Sequence, residues 1–268
     1  MKINSLTPII IGGHARSGTT LLRVILDTHP HVVCGPESRI FESLAQGGLR
    51  KIKKRAERIA KRYDTTRAYI IKLLKEADNE SDFVYRFFDM YCHKTGKTRW
   101  AEKTPNNIYC FDEISASFPE MYLIHVIRDF RDLCLSRHPT NEAFQCDGVN
   151  YRLLPGWINA IRCGIRQRSN PRYIEIRYED LVSETVSTLK NLFEFINLSW
   201  DDRVLDFYKH DGPTRNEMVA PEVIATRKPV STASAGKWRK EMPPEDIRLL
   251  SHNRLLRSFL LELGYDDF

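Results

Sequence analysis

The chain has 268 residues, 42% of them hydrophobic and 28% charged, which fits one globular α/β domain or one large domain with a helical insertion. No stretch approaches the roughly 20 apolar residues that a membrane-spanning helix needs, so no membrane segment is predicted. The net charge of +6 is local, because residues 50–75 carry 11 Lys or Arg against two acidic residues. This distribution argues against a domain that binds nucleic acid over its whole surface.

The first half of the chain predicts two strands separated by a helix, followed by a long helical region. Residues 7–13 (TPIIIGG) are a short apolar run that ends in glycines, which is typical of a buried strand. Residues 17–29 carry leucine and isoleucine at helical spacing, and Pro30 ends that helix. Val32–Cys34 is the next predicted strand. Residues 42–95 are expected to be mostly helical and to form a basic insertion.

The second half alternates strands with helices. Strands are predicted at residues 99–103, 121–127 and 173–178, and helices from Asp129 and over residues 151–168, 183–196 and 247–263. This alternation favours an α/β fold with a P-loop-type parallel sheet flanked by helices, in which ligands bind at the carboxyl ends of the strands. We expect one domain over residues 1–268.

A turn with the composition of a phosphate-binding loop joins the first strand to the first helix. Residues 13–20 read GHARSGTT, so backbone N–H groups at a helix N-terminus can meet an anion. The spacing is similar to that of nucleoside-triphosphate loops, but Thr19 stands where their lysine contacts the β- and γ-phosphates. The turn therefore favours a donor without a γ-phosphate, which needs no metal. Its candidate donor-binding residues are Arg16, Ser17, Gly18, Thr19 and Thr20.

The turn is part of a longer series of motifs. They are GGHARSGTTLLR at residues 12–23, continuing to CGPESRI, and then EKTPNN, VIRDFRDLCLSR, RYEDL, KPV, GKW and ELGYD. The first resembles the phosphosulfate loop of sulfotransferases, and its continuation resembles the tyrosylprotein sulfotransferases. The resemblance covers most of the chain. It implies the sulfotransferase fold and transfer of a sulfuryl group from 3′-phosphoadenosine 5′-phosphosulfate (PAPS) to an acceptor hydroxyl, with 3′-phosphoadenosine 5′-phosphate (PAP) as the product.

A second phosphate site is predicted after the strand at residues 121–127. Arg128 ends that strand and Ser136 follows eight residues later, so the two can hold a phosphate from two sides. On the residues alone, Arg128 could instead form an ion pair with Asp129 or Asp132. The resemblance implies donor contacts outside the turn at Arg128, Ser136, Tyr178 and Lys237.

Two charged residues near predicted strand ends are candidate catalytic groups. Glu37 follows the second strand, where a carboxylate can accept a proton from an acceptor hydroxyl; the alternative is a surface pair with Arg39. Lys103 ends a later strand, where an ammonium can neutralise charge on a leaving oxygen, although a solvated lysine would look the same. The resemblance makes Glu37 the general base, Lys103 and Arg16 the leaving-group stabilisers, and Arg39 a contact for an acidic acceptor peptide.

The cysteines depart from those of the secretory tyrosylprotein sulfotransferases. Those enzymes pair a cysteine at the Cys34 position with one two residues before the catalytic lysine, where this chain has Ala101. The six cysteines include no C-x-x-C spacing, so we expect no zinc, and free thiols in a reducing, cytoplasmic compartment. A donor-contacting serine of the family falls on Glu222 by ungapped count, which leaves the donor contacts of residues 220–232 open.

The preferred interpretation is a sulfotransferase that acts on a tyrosine flanked by acidic residues, attracted by Arg39 and residues 50–75. A small phenol or a sugar hydroxyl is the alternative acceptor, because related folds host many substrates. A P-loop kinase would need lysine at position 19. Nucleic-acid binding along residues 50–75 is not favoured, since only Tyr63 and Tyr69 could stack on bases. A homodimer is left open.

Overall fold

A computed structural model describes residues 7–136, 148–209 and 225–268. Within these residues, five parallel strands form one sheet in the order β2-β3-β1-β4-β5. The strands are β1 (Ile9–Gly12), β2 (Val32–Cys34), β3 (Arg99–Lys103), β4 (Tyr122–Ile127) and β5 (Tyr173–Arg177). The predicted α/β fold is confirmed. The chain leaves β1 towards β2 but leaves β4 towards β5, so a crevice opens at the carboxyl ends of the central strands.

Helices cover both faces of the sheet. Before β3 they are α1 (Thr19–Thr28), α2 (Ile40–Arg62), α3 (Arg67–Glu76) and α4 (Glu80–Thr95). Between β3 and β5 they are α5 (Phe111–Ser117), α6 (Phe130–Leu133) and α7 (Leu154–Arg166). After β5 they are α8 (Tyr178–Ser183), α9 (Thr185–Phe195), α10 (Trp238–Glu241), α11 (Pro244–Ser251) and α12 (Arg254–Glu262). A 3₁₀ turn at Pro105–Cys110 follows β3.

Strand β1 is apolar on both sides because both of its faces are covered. Ile10 belongs to the cluster formed with the aromatic side chains of α4, whereas Ile9 and Ile11 pack with α1 and α9. Successive strand side chains point to opposite faces, so a central parallel strand must be apolar throughout. This burial fixes the position at which the chain leaves β1 and enters the predicted phosphate turn.

Two predicted helices are divided in the structure. The prediction of one helix over residues 247–263 was wrong: α11 ends before His252, and the Asn253 side chain accepts a hydrogen bond from Leu256 N at 3.0 Å to start α12. The helical region at residues 42–95 consists of α2, α3 and α4. Helix α2 itself is interrupted by non-helical backbone at Gly47 and Gly48.

Two element boundaries near the crevice also differ from the prediction. The helix predicted from Asp129 is only the four-residue α6, so Ser136 lies beyond its end rather than in the helix. Strand β5 ends at Arg177, and Tyr178 is the first residue of α8. Tyr178 therefore projects from a strand-to-helix junction, as the residues of the phosphate turn do.

The described cysteines are buried and free. Cys34 lies opposite Ala101 in the register of β2 and β3, so the position where the resemblance would place a partner cysteine is adjacent to Cys34 but lacks sulfur. Burial raises the pKa of the Cys34 thiol far above its usual range. Cys146 lies outside the described residues. Among the described helices, none is long and apolar enough to cross a membrane.

Candidate active site

The phosphate turn contains two residues in the left-handed backbone region. Arg16 and Gly18 both have positive φ angles, 72° and 95°. A Cβ on Gly13 would lie 2.4 Å from the Val126 carbonyl oxygen, so the turn passes too close to β4 for any side chain there. Helix α1 then begins at Thr19 with no side-chain cap, and Gly18, Thr19 and Thr20 line the crevice. The first N–H groups of a helix have no partner within the helix. The turn can therefore hold an anion, as the sequence predicts.

One buried polar atom in this turn has no partner within the described residues. The Ser17 hydroxyl is 1% exposed as a residue and makes no hydrogen bond. Buried hydroxyls are normally bonded, so an unbonded one at a helix N-terminus fits a site that receives acceptor oxygens from a ligand. A phosphosulfate group carries such oxygens.

Gly18, Tyr178 and Arg128 form a stack beside the turn. A Cβ on Gly18 would lie 2.5 Å from Tyr178 Cδ2, so the glycine is required for the tyrosine ring to lie against the turn. The Arg128 guanidinium lies 4.4 Å from the centroid of the same ring. The phosphate turn and the predicted second phosphate site are therefore in contact through Tyr178.

Lys103 joins Glu37 to the phosphate turn. Its Nζ donates to Glu37 Oε1 at 2.6 Å and to Thr20 Oγ1 at 3.2 Å. The lysine side chain is 2% exposed and the glutamate side chain 24% exposed, so water reaches this pair from the glutamate side. The ion pair brings together the two predicted catalytic groups, which are 66 residues apart in sequence.

Glu37 is held in its ionised form. Burial raises the pKa of its carboxyl, but contact with Lys103 and the charges of Arg39 and Arg62 outweigh burial, so the pKa of Glu37 lies below its usual range. At neutral pH the carboxylate can accept a proton. Its basicity is lowest while Lys103 remains bound to it.

The other predicted donor contacts surround Arg16. The Arg16 Nε donates to Ser136 Oγ at 3.1 Å, although Ser136 comes from the segment after α6. Arg128 donates to the carbonyl oxygens of Arg16 at 2.9 Å and Ser234 at 2.7 Å. Lys237 donates to the Leu135 carbonyl at 3.3 Å. Within the described part of the chain, Arg128 therefore forms no ion pair with Asp129 or Asp132, which was the alternative interpretation.

Most of these groups border one cavity of about 650 Å³, a volume suited to a nucleotide-sized ligand. Of the predicted site residues, all but Ser17 and Lys103 line the cavity, and those two are buried directly behind its wall. Sequence reasoning did not single out several further lining residues, namely Thr104, Asn106, Thr226, Lys228, Ser231 and Ser234. The KPV motif was the signal for Lys228. Glu222 lies outside the described residues.

Helix α2 carries basic side chains, of which Arg62 lies beside Glu37. Arg62 donates to the Glu37 carbonyl oxygen, and Arg55 donates to Ser43 Oγ at 2.8 Å. Burial lowers the pKa of Arg55, and the nearby charges of Arg39, Arg58 and Arg62 lower it further, although Glu42 opposes them. We refer to Arg39, Arg55, Arg58 and Arg62 as the arginine rim. Arg55 and Arg62 are seven residues apart on one helix face, a spacing visible in the sequence.

Comparison with known proteins agrees with this geometry. The profile described as "Sulfotransferase family" matches residues 8–202. A protein-tyrosine sulfotransferase of Drosophila melanogaster is 28% identical over 273 residues, covering 97% of this chain and 52% of the relative. This chain thus spans about half the length of that protein.

Solved structures show the same fold at low sequence identity. The sulfotransferase domain from the curacin biosynthetic pathway superposes with a TM-score of 0.69 at 18% identity, covering 98% of this chain and 99% of that domain. A mouse sulfotransferase complexed with PAP superposes with a TM-score of 0.57 at 12% identity, covering 97% and 86% of the two chains. With a sheet of this topology, a phosphate turn of this composition and a profile match over most of its length, the chain belongs to the sulfotransferase family.

Proposed function

We propose that this enzyme transfers a sulfuryl group from PAPS to the hydroxyl of a tyrosine in a protein or peptide. The observation that carries the proposal is the position of Lys103, whose ammonium contacts both the Glu37 carboxylate and Thr20 in the phosphate turn. The proposed proton acceptor and the proposed cation for the leaving oxygen are thus in direct contact beside the phosphate turn. In-line transfer needs both groups at once.

The proposed chemistry assigns one task to each group. Glu37 accepts the proton of the acceptor hydroxyl while the acceptor oxygen bonds to sulfur. A tyrosine hydroxyl has a pKa of about 10 and a free glutamate about 4.3, so the proton must move as the new bond forms. The bond between sulfur and the 5′-phosphate oxygen breaks, and Lys103 and Arg16 stabilise the negative charge left on that oxygen. As Lys103 moves towards this oxygen it releases Glu37, whose basicity rises.

Donor binding is proposed for both ends of the cavity. The residues of the phosphate turn, with the unbonded Ser17 hydroxyl, receive the 5′ group. Arg128, Ser136 and Lys237 receive the 3′-phosphate. Arg128 now donates to two carbonyl oxygens, which a phosphate can replace. Ser136 accepts from Arg16, and Lys237 lies between the Leu135 carbonyl oxygen and the exposed side chain of Glu241. Tyr178 lies between the two groups and beneath Arg128.

The proposed acceptor follows from the arginine rim. The charges of Arg39 and Arg62 act on Glu37, and Arg55 and Arg58 lie close to those two arginines. An acceptor hydroxyl must approach the partly exposed Glu37 past this group. Acidic residues on either side of a tyrosine would complement this rim, and the named activity of the Drosophila relative supports a protein tyrosine as the acceptor. A small phenol or a sugar hydroxyl would leave the rim without a partner.

We further propose that the enzyme works in a reducing, cytoplasmic compartment. The proposal is supported by the free thiols of the five described cysteines and by Ala101 opposite Cys34. Thiol titration of the denatured, unreduced protein should find six free cysteines. Two or fewer would contradict this location.

A labelled-donor assay tests the proposed function. We expect the purified chain to transfer label from ³⁵S-PAPS to a tyrosine peptide with acidic flanks, and to transfer none from γ-labelled ATP with magnesium. Labelling of small phenols or sugars alone would reject the tyrosine acceptor and retain the donor. Transfer of label from ATP, or no transfer from either compound, would reject PAPS as the donor.

A further inference from the structure

Glu102 is a buried carboxylate directly beside the catalytic lysine candidate. The residue is 1% exposed. Its Oε1 accepts hydrogen bonds from Ser38 N at 3.1 Å, Ser38 Oγ at 2.8 Å and Thr104 Oγ1 at 2.7 Å. Its Oε2 accepts from Asn107 Nδ2, which also donates to the Ile11 carbonyl at 3.1 Å. These donors come from two segments of the chain, residues 37–39 and residues 104–107.

The neighbours of these hydroxyls fix the direction of the bonds. Ile40 N donates to Ser38 Oγ at 3.1 Å, and Arg39 N donates to Thr104 Oγ1 at 3.2 Å. Each hydroxyl oxygen therefore already accepts a hydrogen bond, and its own proton is available for Glu102. Although burial raises the pKa of Glu102, the surrounding groups that contact it all act as donors, as an ionised carboxylate requires.

This network joins two segments of the site residue by residue. Residues 37–39 and 102–104 are linked by Glu37 to Lys103, Ser38 to Glu102, and Arg39 to Thr104. Arg39 has a φ angle of 54°, a left-handed conformation that is unusual for a residue other than glycine. Of the three links, that to Glu102 is the most buried. It anchors the backbone on either side of Ser38.

We propose that Glu102 is a positioning residue for sulfuryl transfer: it holds residues 37–39 so that the Glu37 carboxylate stays against Lys103 at the mouth of the phosphate turn. The inference rests on the proposed function. Glu102 does not line the cavity and makes none of the donor or acceptor contacts proposed above. Its influence passes through Ser38 and Thr104 to Glu37 and Arg39, which do line the cavity.

The test replaces Glu102 by glutamine. Glu102→Gln keeps the shape but sets an NH₂ group against donors, so the turn at residues 37–39 should shift. We expect kcat to fall about 10- to 100-fold, because a misplacement of about 1 Å can cost this much, while PAP binds with nearly unchanged affinity. The acidic limb of the kcat/KM profile should move to higher pH as Glu37 separates from Lys103, with Arg39 and Arg62 still nearby.

A matched control separates positioning from general stability. Glu175 is another hydrogen-bonded carboxylate of the sheet, but it contacts Arg168 and Tyr173 away from the cavity. Glu175→Gln should lower thermal stability without changing kcat or the acidic limb. Should Glu102→Gln fail to fold, Ser38→Ala removes one donor to Glu102 and keeps the backbone N–H. We expect it to lower kcat about two- to tenfold in the same manner.

Two further measurements decide the outcome. In a Glu37→Gln background, Glu102→Gln should cause little additional loss of kcat, because Glu102 acts through Glu37; a full additional loss would overturn the inference. Hydrogen exchange at the amides of residues 38–40 should speed up in Glu102→Gln but not in Glu175→Gln. Unchanged exchange in Glu102→Gln would reject the positioning role, whether or not the wild-type chain is active with PAPS. Inactivity of the wild-type chain with PAPS would reject only the proposed function.

Discussion

The two ends of the cavity are held by different kinds of contact. At the acceptor end, Lys103 and Glu37 are joined as a largely buried ion pair. At the donor end, Arg128 donates to two backbone carbonyl oxygens instead. Lys237 donates to another carbonyl oxygen and has only a longer, 3.6 Å ion pair with the exposed Glu241. A phosphate is a stronger partner for a cation than a carbonyl is, so the donor end is ready to exchange its contacts on binding. We therefore expect substitutions at the acceptor end to change turnover and those at the donor end to change affinity.

The largest effect should come from the proposed base. Glu37→Gln removes the proton acceptor but keeps the size of the side chain, so we expect turnover to fall by about 10²–10⁴. PAP affinity, measured by titration calorimetry, should remain nearly the same. Near-normal turnover on a phenolic acceptor would show that Glu37 is not the base. If PAP affinity fell as well, the acceptor end would also contribute to donor binding, contrary to our expectation.

Lys103→Ala should lower kcat by about 10²–10³, because it removes a charge placed at the developing oxyanion. It also gives a signed pH effect. Glu37 must be ionised to act, and Lys103 helps to hold its pKa below the usual range, so wild-type activity should fall only below about pH 4.3. Without Lys103 the pKa of Glu37 rises, and the acidic limb of kcat/KM should move to higher pH. If the acidic limb does not move, Lys103 does not lower the pKa of the group that acts as the base.

Arg128→Ala tests the donor end. We expect PAP to bind about 10- to 100-fold more weakly, while adenosine 5′-phosphate, which lacks the 3′ group, binds as before. Arg177 provides a matched control, because its guanidinium also lies over a tyrosine ring, that of Tyr265, and donates to a carbonyl oxygen. Arg177→Ala should leave both ligands unaffected. If Arg128→Ala weakens the binding of both ligands equally, Arg128 does not contact the 3′-phosphate.

The smallest effects should come from the arginine rim. Arg39→Ala and Arg55→Ala should each lower kcat/KM for an acidic tyrosine peptide by about two- to fivefold, with less effect at high salt, because half-exposed charges are screened. A neutral phenol should be turned over equally by both variants. Arg86→Ala removes an arginine of α4 that pairs with Asp82 and should serve as the control. An equal loss for the neutral phenol would show a structural role instead.

The sequence was sufficient for the sheet and for the turn. Apolar runs such as residues 7–13 have few alternatives to a buried strand, and the glycines that end this run permit the turn that follows it. The boundaries at Ser136 and Tyr178 were harder to predict. Helix α6 ends after four residues without a sequence signal for its end. Tyr178 is a residue type that is common in strands, but it begins a helix.

Glu102 could not be identified from the sequence because its meaning depends on contacts far along the chain. A glutamate within WAEKT reads as an ordinary polar residue of a strand, and its donors Ser38 and Asn107 are brought to it only by folding. The arginine rim was partly visible, since residues 50–75 were predicted to be basic. Only the packing of α2 shows which arginines reach Glu37.

The stack of Gly18, Tyr178 and Arg128 has a consequence for how such an enzyme can evolve. Adding one methyl group at position 18 would displace the ring on which Arg128 rests, so a mutation at one phosphate contact is felt at the other. A lineage that changed its nucleotide would have to change several of these residues together. Among the described residues, no aromatic ring links the rim arginines to one another, so each of them can be replaced by a single mutation. We expect descendants of this chain to diverge in the acceptors they modify long before they diverge in the donor they use.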